Sequence, residues 1–271
     1  MDESEWEDFL ADCSDIDETY EPSDTSSQET DPEENVLDEN EAEENEENIQ
    51  QQNSNDRLYK VRPVLNHFNK TMREKYVPDK SLCIDESMVL WRGRLFFRQY
   101  IKNKKHKYGV KFYELCESNG MVLRIKIYCG KSETSTEMGH ASDVVFELME
   151  DYLDKGHMLF TDNFYNSVPL TKALTARKTY VCGTLRSNRK GLPKDFITKK
   201  LKKGEVTWCR HESVVLCKWK DKREVVTISN MHKVQSVEVQ NRNGKISIKP
   251  NIIKDYNNGM SGVDRSDQML S

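Results

Sequence analysis

The sequence predicts a mixed α/β domain, a mixed sheet flanked by helices, carrying an all-β insertion and preceded by a disordered acidic tail. Three observations carry that prediction. Charge is split along the chain: residues 1–56 hold 23 Asp and Glu and no Lys or Arg, so residues 57–271 carry all 41 Lys and Arg against the other 23 acids, a net +18. Hydrophobic spacing then changes from three strand-like runs in hairpin order to an alternation of helix, strand, helix and strand. From residue 204 onward it becomes a series of short β runs.

The acidic segment is rich in Ser, Gln, Asn and Glu and cannot bury enough apolar surface to offset chain entropy. Its charge excludes a secretory signal, which would be cationic and then apolar. No apolar run reaches the ~18 residues that span a bilayer, so no membrane partner is expected. The +18 remainder suits a polyanion, nucleic acid first, with a solvated basic surface as the plain alternative.

Residues 58–76 space Leu58, Val61, Leu65, Phe68 and Met72 three or four apart, a helical stripe with Pro63 tolerable only near its start. SLCIDESMVLW (81–91), KYGVKFYELC (107–116) and MVLRIKIY (121–128) read as strands, with Ser118-Asn119-Gly120 as the hairpin turn between the last two. SDVVFELMEDYL (142–153) reads as a helix capped by Ser142, HMLFTD (157–162) as a fourth strand, SVPLTKALTARK (167–178) as a second helix and YVCGTLR (180–186) as a fifth strand. Strand-like VTWC, SVVLCKW, EVVTIS, VQSVEV and KISIK follow, with turns at Asp221-Lys222 and Asn243-Gly244. The final DYNNGMSGVDRSDQMLS reads as a loop and then the first turn of a helix near Val263. This order is that of the RNase H-like fold.

Asp85 lies on the first strand, Asp162 ends the fourth, and Asp264 begins the terminal helix. If strands one and four are neighbours and the last helix crosses the same sheet edge, three carboxylates meet. Such hard oxygen ligands suit Mg²⁺ or Mn²⁺, and two ions can assist both ends of a phosphoryl transfer. Asp267 lies one turn beyond Asp264. Taken singly, Asp162 has a plainer role as a turn former and Asp264 as a helix cap or first-turn acid, whereas an unpaired Asp85 in an apolar run would be costly to bury. The seven cysteines form no CxxC pair and read as reduced thiols; Cys209, His211 and Cys217 fit no zinc spacing, and no zinc is expected.

Cations flank this constellation. Arg92, Arg94 and Arg98 follow the first strand; Lys102, Lys104, Lys105, His106 and Lys107 form a basic run; Arg186, Arg189 and Lys190 follow the fifth strand. They suit phosphate contacts, which give salt-sensitive affinity without sequence choice; the run at 102–107 equally reads as a nuclear import signal or a solvated loop. Phe164 and Tyr165 could stack on a displaced base or pack under the sheet.

The segments IDESMVLWRGRLFFRQYIKNKKHKYGVKF, FTDNFYNSVPL, VCGTLRSNRKGLP and MSGVDRSDQM closely resemble the piggyBac transposase family and its transposable element-derived relatives. The resemblance spans about 58–271. It implies an RNase H-like catalytic domain split by a β insertion, with Asp85, Asp162 and Asp264 as the Asp-Asp-Asp metal triad and Asp267 as a further acidic position. On that basis the chain divides into the acidic tail (1–56), a helical remnant of the dimerisation and DNA-binding region (57–79), the core's first part (80–188), the β-rich insertion (189–252) and the core's final part (253–271). The resemblance also implies a nuclear protein that excises DNA and inserts it at TTAA sites. Its implied partners are terminal repeats and TTAA targets, with a homodimer in full-length members.

Such proteins carry further segments before residue 58 and after Ser271, so catalysis by these 271 residues is expected to be impaired. The alternative from another class is a non-catalytic DNA- or chromatin-binding protein, or an interaction adaptor using the acidic tail. Opposed charges attract within a Debye length, so the tail is expected to compete with DNA for the basic domain. Deleting residues 1–56 should tighten non-specific DNA binding at low salt, measured by fluorescence anisotropy across a salt series; equal affinities with and without the tail would contradict this.

Overall fold

The first long strand, β1 (Ser81–Leu90), has alternating faces that are both covered, and the rest of the fold is arranged around it. The computed structural model describes residues 56–101, 107–130, 136–240, 244 and 246–269. The tail expected to be disordered therefore lies outside the described residues apart from Asp56, and so do Lys102, Lys104, Lys105 and His106.

Preceding β1, helix α1 (Arg62–Lys75) starts with Pro63 in its first turn, where a missing N–H costs nothing. Asp56 accepts the Leu58 N–H at 3.0 Å and pairs with Arg62, whose guanidinium holds the carboxyl down to about 2. Asn69 fixes the helix to the sheet, accepting the Ile125 N–H at 2.9 Å and donating to the Ile125 carbonyl at 3.0 Å. The expected helix over 58–76 is thus present, four residues shorter at its start.

β1 pairs antiparallel with β3 (Tyr108–Glu117), which pairs with β4 (Val122–Ile127) and with a two-residue strand β2 (Gln99–Tyr100). The last is too short for any periodicity to announce it. Helix α2 (His140–Met149) begins earlier than Ser142. Gly139, at φ 83°, takes the N-cap position, and Ser142 lies inside the first turn with its hydroxyl donating to the Met138 carbonyl at 3.0 Å. Only glycine enters that backbone region without strain, so the start is set there and not by a hydroxyl cap.

After α2 and a short 3₁₀ turn (Glu150–Tyr152), β5 (Met158–Thr161) runs parallel to β1, and β6 (Tyr180–Leu185) runs parallel to β5. Helix α3 (Val168–Ala176) connects β5 to β6, capped by Ser167, whose Oγ accepts the Leu170 N–H at 3.2 Å. Short helix α4 (Lys194–Thr198) leads into β7 (Val206–His211), β8 (Val214–Lys220) and β9 (Glu224–Ser229).

These three strands do not stand apart. β9 pairs antiparallel with β6, so one nine-stranded mixed sheet runs β2-β3-β1-β5-β6-β9-β8-β7, with β4 also on β3. Among the described residues, only the hairpin of β10 (Ser236–Gln240) and β11 (Ile246–Pro250) forms a separate sheet.

The segment read as a loop before Val263 is helix α5 (Asn251–Gly259), followed by α6 (Gly262–Met269). Ile252, Ile253 and Tyr256 form its apolar stripe, and Pro250 takes its N-cap position. Two layers result. Leu82, Ile84, Tyr113, Leu115 and Leu159 face α2 on one side, and Cys83, Cys116, Phe160 and Cys182 face α5 and α6 on the other.

His157, at the entry to β5, is buried, with Nδ1 3.2 Å from the Asp79 carbonyl and its ring edge-on to Tyr152. Burial holds its pKa below the usual 6.5. The unfolded chain therefore takes up this proton first, and its contribution to stability is full above about pH 6.5 and lost as pH falls below it. Urea midpoints should drop between pH 7.5 and 5.5, and His157→Gln should flatten that dependence; an unchanged dependence would contradict the assignment.

Candidate functional site

The site is built where β1 and β5 lie side by side. Their register ends Cys83↔Phe160 and Ile84↔Thr161, so Asp85 and Asp162 occupy the next positions on neighbouring strands, whose spacing is about 4.8 Å. Strand alternation puts Asp85 on the face of Cys83, two residues before it, the face covered by α5 and α6. Tyr256 of α5 senses both acids: its hydroxyl is pushed up to about 12, chiefly by burial, and the charges of Asp162 and Asp85 add to the rise.

Asp162 is held in a tight turn. Its Oδ1 accepts the Phe164 N–H at 2.8 Å, and its carbonyl accepts from Asn166 Nδ2 at 2.9 Å. Asn166 is fully buried and also donates to the carbonyls of Thr161 and Thr184, at 3.0 and 2.9 Å. Burial raises the Asp162 carboxyl above its usual range, only partly offset by the Phe164 N–H and by Arg186.

Asp264 arrives through a different contact. The N–H groups of Gly262 and Val263, unsatisfied at a helix start, hydrogen-bond the Cys83 thiol two residues before Asp85. Burial pushes that thiol up to about 11, and the charges of Asp85 and Asp264 contribute. Gly262 is required for the approach, since a Cβ there would collide with the Glu117 carbonyl oxygen and the Cys83 sulfur. Asp264 is exposed in the first turn of α6, where an acid also favours the helix dipole. Asp267, one turn on, lines an apolar trough of about 780 Å³ together with Phe68, Met72, Phe112 and Glu114.

The structure thus brings Asp85, midway along β1, beside Asp162, just past the end of β5, and sets α6 on the same face. It does not draw the carboxylates into one tight cluster: among the described residues no group of three His, Cys, Asp or Glu is close enough to hold a metal ion.

Two acids escaped the sequence reading. Glu114 is buried directly across from Asp85, with Ser87 donating to it; an acid inside the apolar run KFYELC was the available signal. Glu86, on the opposite face, accepts from the Tyr165 hydroxyl at 2.8 Å and lies 3.6 Å from the Lys111 ammonium. Tyr165 is therefore a core residue, while Phe164 is half-exposed beside Lys111 and Arg186.

The cations fall into two groups. Arg92, Arg94, Arg98 and Lys107 are exposed near the distal ends of β1 and β3. Arg186 donates to Asn163 Oδ1 at 3.0 Å and Arg189 to the Phe164 carbonyl, so both brace the turn that carries Asp162; Lys190 is exposed beside them.

Comparison with known proteins agrees with this fold. The profile of a family described as Transposase IS4 matches residues 37–271. Human PiggyBac transposable element-derived protein 3 is 29% identical over 233 residues, covering 79% of this chain and 39% of its own length. Human PiggyBac transposable element-derived protein 2 is 24% identical over 238 residues, covering 80% and 40%. A cryo-EM structure of a piggyBac transposase synaptic complex with hairpin DNA superposes with a TM-score of 0.72 at 28% identity, over 82% of this chain and 46% of that one. The chain thus spans less than half the length of these relatives. No helix among the described residues is long and apolar enough to cross a membrane.

Gly262→Ala should unseat α6 and cost about 1–3 kcal/mol, the range for overpacking a tight contact. Urea unfolding would measure it, and a variant as stable as the parent would contradict the close seat.

Proposed function

This chain belongs to the piggyBac family of DDE-type transposases, and we propose that it binds DNA and that Asp85, Asp162 and Asp264 are its metal-holding carboxylates for strand cleavage and transfer. The observation that carries this reading is the parallel β1–β5 register, which sets Asp85 beside Asp162 on the face where α6 delivers Asp264. Asp267 is a further candidate ligand.

The donor chemistry fits a hard divalent cation. Three carboxylates would supply oxygen ligands, and the half-buried Asp162 carboxyl has a raised pKa that a nearby cation would oppose. Mg²⁺ or Mn²⁺ would supply Lewis-acid activation of an attacking oxygen and stabilisation of the leaving one. The chain's own residues hold the geometry: Asn166, Arg186 and Arg189 fix the turn of Asp162, and Gly262 fixes the start of α6. TTAA targets, terminal-repeat recognition, a homodimer and a nuclear location are the finer parts of the same proposal. Exposed Arg92, Arg94, Arg98, Lys107 and Lys190 would meet phosphates.

One observation favours a second reading, a DNA-binding protein without cleavage: the described acids are not gathered into a metal-holding group.

A thermal-shift series separates the two. Ligand at ten times its Kd adds about 1.4 kcal/mol to stability, roughly 3–5 °C for a domain of this size. Millimolar Mn²⁺ should raise the parent Tm by that order, and Asp162→Asn, nearly equal in volume, should lose most of the shift. A shift of equal size in the variant, or none in the parent, would contradict the metal assignment.

A further inference from the structure

Between Glu86 and Glu114 the sequence holds 27 residues without an acid, and they carry eight Lys or Arg interleaved with seven aromatic residues. Cations alone would suffice to bind a duplex, whose bases turn only their edges outward. The aromatic half of the pattern calls for a separate explanation.

In the structure several of these rings are on the surface. Tyr100 and Tyr108 are cross-strand partners of β2 and β3, with ring centroids 4.7 Å apart, and are 53% and 54% exposed. The Arg98 guanidinium lies 5.9 Å from the Tyr108 ring. Phe96 is 83% exposed, with the Arg57 guanidinium 4.6 Å from its ring. Lys107 is exposed next to Tyr108. Large rings kept in water beside cations mark a binding surface rather than a core remnant.

Strand alternation also aims this surface. Tyr108 shares a face of β3 with Val110, Phe112 and Glu114, and Glu114 is the cross-strand partner of Asp85. The tyrosine pair therefore lies on the Asp85 face, six residues along β3, roughly 20 Å at ~3.4 Å per residue.

We propose that this strip binds single-stranded DNA, with unpaired bases stacking on Tyr100, Tyr108 and Phe96 and with Arg98 and Lys107 meeting the adjoining phosphates. The inference rests on the reading that the chain handles DNA, and it adds that part of that DNA is unpaired where it crosses β2 and β3. Every base has a π-face, so the strip selects for unpaired strands without selecting sequence.

The test uses the full 271-residue chain with fluorescein-labelled dT15, rU15 and a 15-base-pair duplex in anisotropy titrations. Tyr100→Ser combined with Tyr108→Ser should weaken dT15 binding at least tenfold and duplex binding less than twofold. Tyr100→Phe with Tyr108→Phe should keep the parental affinity, because the rings remain. Phe96→Ser, at a position outside the core, should weaken dT15 binding about threefold or more without lowering Tm, which keeps the test open should the double Ser variant unfold. Parental dT15 affinity in both Ser variants, or equal loss on dT15 and duplex, would overturn the proposal and leave the strip to a protein partner. Tighter binding of rU15 than dT15 would overturn the assignment to DNA. A parent that binds the duplex but shows no variant effect defeats this inference alone, whereas a parent that binds no DNA defeats the proposed function as well.

Discussion

The parallel pairing of β1 with β5 is the constraint on which the rest depends. Four residue pairs define it, ending at Ile84↔Thr161, and both faces of both strands are buried. A slip of one residue would exchange Leu82 and Ile84 with Cys83 and Asp85 between the α2 layer and the α5–α6 layer. That would push an aspartate among Val144, Leu148 and Tyr152. Two-sided burial thus specifies the register, and the register places Asp85 beside Asp162. The positions of the acids follow from core packing far more than from any attraction among them, since like charges repel.

The second approach, of α6 to β1, is made from the same materials. A buried thiol is an unusual acceptor for helix N–H groups, yet Cys83 takes this role because Gly262 has no Cβ to hold the helix away. The α3 and β6 side contributes differently. Asn166 ties the carbonyls of Thr161, Asp162 and Thr184 together, and a buried amide so fully bonded is costly to replace. The turn bearing Asp162 is consequently rigid, while Asp264 sits on an exposed first turn. A rigid carboxylate and an exposed one on the same face leave their last approach to whatever joins them.

Much of this was legible in the sequence, and for identifiable reasons. The long strands announced themselves because Leu82 and Ile84, or Leu123, Ile125 and Ile127, alternate cleanly, and α3 because Ser167 precedes a helical stripe. The order of Asp85, Asp162 and Asp264 along those elements was readable for the same reason. Helix α5 was hidden by Asn257, Asn258 and Gly259, which read as turn residues although Ile252, Ile253 and Tyr256 carry the helical face. The attachment of β9 to β6 was not readable, because pairing between strands forty residues apart leaves no local period. Burial of Glu114 opposite Asp85 was likewise a property of packing, visible only once the β1–β3 register was known.

The proposed function has Asp85, midway along β1, Asp162, just past β5, and Asp264 of α6 close around divalent metal on one face of the sheet. The most direct measurement is an anomalous difference map from crystals of this chain grown with Mn²⁺. The account predicts density bounded by the carboxylates of Asp85 and Asp162, with Asp264 turned toward it from α6. A well-ordered map in which that position is empty while Mn²⁺ binds elsewhere would contradict it.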